Sequence, residues 1–357
     1  MINVTKPYLP DINKYNKYVS RIFESEWLTN NGQFVQELQR RLERYLGIKN
    51  LVLVSNGTLA LQIAYKALEL KGEVLTTPFS FVATSSSLVW EGLKPKYVDI
   101  DRETFNIDKT KISSAITDET CAIAPVHVFG NPCEIDKIQD VAKQNNLKVV
   151  YDAAHTFGVN YKGKSVLSYG DISTISFHST KLFHTIEGGA IVVNDDKLYE
   201  KIKLMINFGI KTEGEIEILG TNSKMNEFQA VMGLCILDDM EFILNGRKKV
   251  HDYYIENLPK ELQLQKRNIN STHNYAYFPV VFDSEKTLLR VKEKLNQNEI
   301  NPRRYFYPSL DNLPYNSQND EVPISNNISK RILCLPIYDT LKEEELEKIV
   351  KILRESI

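Results

Sequence analysis

Cysteine is scarce in this sequence: Cys121, Cys133, Cys235 and Cys334 are the only four in 357 residues. They stand far apart, with no CxxC pair and no metal-ligand spacing, so neither a disulfide framework nor a metal site is expected. The thiols read as reduced and mostly structural, as in a cytoplasmic protein. An excess of one charge is also missing, because 44 Lys plus Arg against 46 Asp plus Glu leave a net charge of -2. That balance gives no electrostatic footprint for nucleic acid or an anionic membrane. No uninterrupted apolar run approaches the length of a membrane span, and the opening residues MINVTKPYLPDINKY lack the apolar core of a signal peptide. Internal repeats and low-complexity segments are absent, and the longest polar stretch, NSQNDEVPISNN (316–327), reads as a loop. The remainder is average globular usage, 42% apolar and 25% charged. The chain is too long for one ordinary core, which predicts one large and one smaller domain.

Between residues 50 and 195, short β-branched runs alternate with helical patterns. The expected strands are 51–55, 73–77, 95–100, 122–128, 148–153, 173–178 and 190–194, several of them apolar on both faces. Helical patterns occupy 58–68, 134–145 and 196–207. This order predicts an α/β fold with a mostly parallel, doubly wound sheet. Beyond residue 224 the pattern changes to one long helix over 224–258, a strand over 275–283, a helix over 284–297 and a strand over 332–338. Thr340 and Glu343 are expected to form a capping box for the last helix. The predicted division is a large domain over 14–246 and a small α+β domain over 247–357, with residues 1–13 packing near the small one.

In a parallel α/β sheet, ligands collect where the loops leave the carboxyl ends of the strands. Four candidates fall there. In LVLVSNGTLAL, Asn56-Gly57-Thr58 follows a strand and opens a helix, leaving free amides and a hydroxyl at a positive helix end, either an anion site or an ordinary N-cap. In VVYDAAH, Asp152 ends an apolar strand, where a carboxylate is costly without a cationic or hydrogen-bonding partner. His155 is three residues further on, and a helix-capping aspartate is the alternative reading of Asp152. In SFHSTKLFHTIEGG, Ser176 and His178 share a strand face and Lys181 follows on the loop; away from bulk water it could have a lowered pKa and act as an amine nucleophile. Phe81, in TTPFSFVATSSS, is either a platform for a flat heteroaromatic ring or a helix core residue. A phosphate site, a carboxylate for a pyridine nitrogen and a strand-end lysine are together the parts that hold pyridoxal phosphate.

These segments, with WLTNNGQFVQELQRRLERYLG, PVHVFGNPCEID, GTNSKMNEFQAVMGL, RRYFYPSL and LCLPIYDTL, resemble the sugar-nucleotide aminotransferases of the DegT/DnrJ/EryC1/StrS group over nearly the whole chain. The resemblance implies a fold-type-I pyridoxal-phosphate-dependent transferase with a seven-stranded sheet. It implies that Lys181 is the Schiff-base lysine and Asp152 the partner of the pyridine nitrogen. His155 would lie near the 3-hydroxyl, where many relatives carry Gln, and Phe81 would stack on the ring. Asn56, Gly57, Thr58 and Ser176 would hold the phosphate. Asn222 would reach the phosphate of a neighbouring subunit, implying a homodimer with shared sites. Lys224 stands where Arg is usual and is left out of the expected site. His178, Arg303 and Tyr305 are expected to meet substrate, with Arg303 and Arg304 the candidates for a nucleotide diphosphate. His127 could line the site or be a core histidine, and His184 has no assigned role. Within the group, SFHSTKLFHTIEGG, WLTNNG and RRYFYPSL point to the subset that aminates a dTDP-linked 4-keto-6-deoxyhexose with L-glutamate, in surface-polysaccharide biosynthesis. A 3-keto or UDP-sugar aminotransferase, or a non-catalytic cofactor-binding regulator, is the alternative.

Overall fold

The computed structural model describes residues 1–316 and 320–357. Its centre is a seven-stranded sheet built from β1 (Asn50–Val54), β2 (Glu73–Thr76), β3 (Lys94–Tyr97), β4 (Thr120–Ala124), β5 (Lys148–Asp152), β6 (Ile172–Ser176) and β7 (Gly189–Val193), in spatial order β1-β7-β6-β5-β4-β2-β3. Only β7 runs antiparallel to its neighbours, Gly189 lying opposite both Val54 and Ser176. The expected mostly parallel α/β sheet is present. Apolar clusters cover both of its faces, which is why several of the strands read as apolar on both sides. Apart from Lys94 and Lys96 of the edge strand β3 and one end each of β4, β5 and β6, the strand residues are buried.

A second core gathers Val250, Tyr254, Phe278, Leu288, Leu333 and Leu353, and takes in Ile2 from the start of the chain. Here Gln263–Leu264, Phe278–Val281 and Ile332–Leu335 form an antiparallel three-stranded sheet. Ile2–Asn3 pairs in parallel with Ile300–Asn301.

Three local expectations are corrected. The single helix over 224–258 is two, α1 (Glu227–Asp238) and α2 (Met240–Asn257), broken at Asp239 with φ -102° and ψ 7°. The break lies where the N-terminal segment docks: Lys14 Nζ is 2.9 Å from Asp238 Oδ2, and the Tyr8 hydroxyl donates to Asp239 Oδ2 at 3.1 Å. The polar stretch 316–327 is not all loop. Residues 317–319 lie outside the described residues, and from Pro323 a helix runs to Arg331. Asp99, distant in sequence, accepts from Ile324 N and Ser325 N at 3.0 and 2.9 Å and so caps it. The last helix starts at Glu343 rather than being opened by Thr340. Glu345 Oε2 accepts from Lys342 N at 2.9 Å, and Leu341, buried in the second core, holds the preceding turn in place.

One buried carboxylate ties two helices together. Glu227, 1% exposed, accepts from Phe34 N and Val35 N at 2.9 Å each. Those amides belong to the first turn of Gln33–Leu46, whose N-cap Gly32 has no side chain to cap it. The two helices touch closely, because a Cβ at Gly233 would lie 2.8 Å from a Leu38 methyl carbon. Glu227→Ala leaves both amides buried without acceptors, a loss of about 2–4 kcal/mol. The expected outcome is a melting temperature lowered by several degrees, read by differential scanning fluorimetry.

Candidate active site

A cavity of ≈ 270 Å³ opens at the carboxyl ends of the central strands. Its floor begins where β1 ends. Asn56 Oδ1 accepts from Leu59 N at 2.9 Å and starts the helix Gly57–Ala67. Helical geometry leaves the amides of Gly57 and Thr58 without i−4 acceptors at the positive helix end. A Cβ at Gly57 would lie 2.9 Å from Ser176 Cβ, so only glycine lets the helix start approach the end of β6. Backbone amides and the hydroxyls of Thr58 and Ser176 therefore line one end of the cavity, a donor set that suits a phosphate.

Across the cavity, Asp152 closes β5 and is 7% exposed. Its Oδ2 accepts from Thr84 Oγ1 at 2.8 Å and its Oδ1 from Ala154 N at 3.1 Å. Thr84 Oγ1 is in turn 2.7 Å from Ser80 Oγ. Burial raises the carboxyl pKa, while the Thr84 and Ala154 hydrogen bonds and the Lys181 ammonium lower it. Such a carboxylate is suited to a protonated ring nitrogen.

Lys181 leaves β6 through a turn in which its amide donates to His178 O at 2.8 Å. Its Nζ, deep in the cavity, donates to the Tyr277 hydroxyl at 3.2 Å. Burial pulls the amine below the usual lysine range, against the opposing pull of Tyr305 and Asp152. His155, 6% exposed, accepts at Nδ1 from Phe129 N at 3.2 Å. Burial, with Lys181 nearby, holds its pKa well down. The ring is thus neutral, and the amide donor to Nδ1 assigns its proton to Nε2. Phe81 is 49% exposed and lines the cavity, so the reading of it as a helix core residue does not hold.

The other expected residues divide into two sets. His178, Arg303 and Tyr305 line the cavity. His178 Nδ1 accepts from Thr180 N at 3.2 Å, and its Nε2 is 3.4 Å from Glu187 Oε1. Arg304 is elsewhere, with Nη2 donating to Glu285 Oε1 at 2.7 Å and Lys330 O at 3.0 Å. Asn222 is exposed, lies outside the cavity of its own chain and forms a bridge with Asn207. Lys224 donates to Asn207 Oδ1 at 2.9 Å. His127 is a core residue, stacked on Tyr151 at 4.6 Å and accepting at Nδ1 from Cys133 N at 3.0 Å. His184 is buried with its Nε2 2.8 Å from Tyr8 O, fastening the N-terminal segment to the lysine loop.

Sequence reading missed Thr84, Tyr277, Phe306 and Glu187. Thr84 has no signal beyond the run of hydroxyl residues in ATSSS, and Tyr277 is hidden in a run that reads as strand. For Glu187 the signal is its position in the same loop as Lys181.

The donor set suits pyridoxal phosphate: an amide-lined end for the phosphate, a buried carboxylate for the ring nitrogen, an uncharged N–H at His155 and a lysine amine of lowered pKa between them. Comparison with known proteins agrees. Residues 11–354 match the DegT/DnrJ/EryC1/StrS aminotransferase family. Over 361 residues, 99% of this chain and 98% of the relative, the sequence is 44% identical to a dTDP-4-amino-4,6-dideoxy-D-glucose transaminase of Shigella dysenteriae. The Escherichia coli protein of the same description is 42% identical over 363 residues, with 99% and 98% covered. The crystal structure of DesI in the presence of its TDP-sugar product superposes with a TM-score of 0.94 at 32% identity, covering 99% of this chain and 92% of that one. The chain therefore belongs to the DegT/DnrJ/EryC1/StrS aminotransferase family and is an enzyme whose cofactor is pyridoxal 5′-phosphate.

Proposed function

We propose that this enzyme transfers the amino group of L-glutamate to C4 of dTDP-4-keto-6-deoxy-D-glucose, giving 2-oxoglutarate and dTDP-4-amino-4,6-dideoxy-D-glucose. The observation that carries the chemistry is the meeting of Lys181 and Asp152 in one cavity. The choice of sugar is supported by the two relatives of that description at 42% and 44% identity. We take residues 14–246 and 247–357 as the large and small domains, with 1–13 against the small one. The enzyme would act in the cytoplasm, in making a sugar for a surface polysaccharide.

In this reading the bound cofactor supplies an electron sink for charge developing on the carbon beside the transferred nitrogen. Gly57, Thr58 and Ser176, with Asn56 setting the helix start, would hold its phosphate. Asp152 would keep its ring nitrogen protonated, His155 Nε2–H would donate to its 3-oxygen, and Phe81 would lie against its ring. Lys181 Nζ is the proton carrier: burial keeps it closer to neutral, and Tyr277 holds it in place. It takes the proton from glutamate's α-carbon in the first half-reaction and delivers one to the sugar's C4 in the second. His178 and Tyr305 border the space left for the sugar. Asn222, exposed and outside its own cavity, would complete the phosphate site of a partner subunit in a homodimer.

Lys181→Ala is expected to lose the near-ultraviolet to visible absorbance of the cofactor-loaded protein and to lower kcat by about 10³-fold or more. A wild type that cannot be reconstituted to an absorbing form would overturn the reading. Thr84→Val removes one of the two donors to Asp152, so the carboxyl pKa rises further. Its acid limb in the pH–rate profile moves to higher pH, and kcat falls about tenfold. The sugar is tested by offering dTDP- and UDP-linked 3-keto and 4-keto sugars with glutamate and identifying products by NMR. Turnover of the dTDP-linked 4-keto sugar is expected, and amination confined to a 3-keto or UDP-linked sugar sinks the assignment.

A further inference from the structure

The proposed reaction makes one cavity take two anions in turn, a dicarboxylate donor and a nucleotide diphosphate. Among the described residues, the lysine and arginine side chains lining it are Lys181 and Arg303. Lys181 is occupied by proton transfer. Arg303 has no carboxylate partner among the described residues, and its guanidinium carbon lies 4.9 Å from the centroid of the Tyr305 ring. Tyr305 meets Tyr277 edge-on at 5.8 Å and 87°, and Tyr277 is the residue that Lys181 Nζ touches. Arg303 thus stands on the same aromatic wall as the reacting amine. Its backbone is pinned in both directions to Cys334, by hydrogen bonds of 3.2 and 2.8 Å.

The cavity's own carboxylates bias where an anion can settle. They are Asp152, directed to the ring nitrogen in the reading above, and Glu187 beside His178. Both disfavour a second anion near them, and Arg303 is the group left to receive it. In glutamate the side-chain carboxylate lies a short span from the carbon that exchanges nitrogen. In a 4-keto nucleotide sugar the anomeric phosphate lies across the ring from that carbon. Successive contacts join Lys181 Nζ to Tyr277, Tyr277 to Tyr305 and Tyr305 to Arg303, so the wall that carries the reacting amine ends at that guanidinium. A guanidinium fork matches carboxylate and phosphate alike. We infer that Arg303 is the shared anion anchor of both half-reactions, holding the donor's side-chain carboxylate first and the sugar-linked phosphate second. This rests on the donor and acceptor proposed above.

The test uses probes that cannot react: glutarate, a dicarboxylate without an amino group, and dTDP, a diphosphate without a keto sugar. Each is titrated calorimetrically into the cofactor-loaded wild type, Arg303→Gln and Arg304→Gln. The expected result is that glutarate and dTDP compete for the wild type. Arg303→Gln weakens each about tenfold or more, and Arg304→Gln, whose guanidinium pairs with Glu285 outside the cavity, leaves both unchanged. Loss of dTDP binding alone, unchanged binding of both, simultaneous binding, or no measurable glutarate binding to the wild type overturns the inference. A wild type that binds both probes through Arg303 yet does not aminate the keto sugar instead overturns the proposed function and leaves the anchor standing.

Discussion

A carboxylate taken out of water at the end of an apolar strand must be met by hydrogen-bond donors or a cation. Asp152 sets that requirement for the rest of the cavity. Thr84 Oγ1 comes from the helix after β2, the Ala154 amide from the loop after β5, and the Lys181 ammonium from the loop after β6. The ends of three strands thus converge on one group, and the parallel register of β5 and β6, with Asp152 opposite Thr174, brings two of them alongside. Burial acts on the two charged partners in opposite senses, raising the carboxyl pKa and lowering that of the amine. Each opposes that shift in the other. A cationic ring nitrogen placed beside Asp152 would add to the compensation, which links binding of the cofactor to the charge state of the site.

The position of the amine has a second determinant, far from the sheet in sequence. The segment after Gln263–Leu264 crosses the loops of the main sheet before entering the strand Phe278–Val281. Gln265 Nε2 donates to Thr104 O at 2.7 Å and Val128 O at 3.1 Å. Thr272 N donates to Asn160 O at 2.9 Å. Asn274 Nδ2 donates to His155 O and Phe157 O at 2.9 and 3.1 Å. Three residues later comes Tyr277, which meets Lys181. These contacts go largely to backbone carbonyls, so the segment is located by the path of the chain beneath it. Tyr277 is thereby placed by the same loops that carry His155.

Much of this was legible in the sequence because the signals were local. Most strands of the sheet show an apolar or β-branched run, with Lys94–Tyr97 the exception, and Asn56-Gly57-Thr58, Asp152 and Lys181 fall at strand ends where a parallel sheet gathers its ligands. What escaped depends on contacts distant in sequence. The break at Asp239 coincides with docking of Lys14 and Tyr8, and the helix from Pro323 is capped by Asp99. Thr84 and Tyr277 are ordinary hydroxyl and aromatic residues until folding places them beside Asp152 and Lys181. Arg303 and Arg304 are neighbours with the same side chain, and no sequence pattern tells them apart. Only the position of Glu285 sends one guanidinium to an ion pair and leaves the other at the cavity.

His155 shows how narrow the chemical demand on one position can be. An imidazolium there would place a third cation beside Lys181 and the protonated ring nitrogen, in a region where burial makes such charge costly. The structure avoids this twice over. Burial keeps the imidazole neutral, and the Phe129 amide occupies Nδ1 so that the proton stays on Nε2. Phe129 reaches that geometry with φ 57°, a left-handed backbone rare for a bulky side chain. Its ring and that of Phe306 are nearly parallel to the imidazole, at interplanar angles of 10° and 3°. The histidine therefore presents one uncharged N–H donor in a fixed plane. A glutamine amide would offer the same uncharged N–H. The position is thus specified by the donor it presents and by neutrality, and imidazole meets both conditions only because its surroundings fix the tautomer.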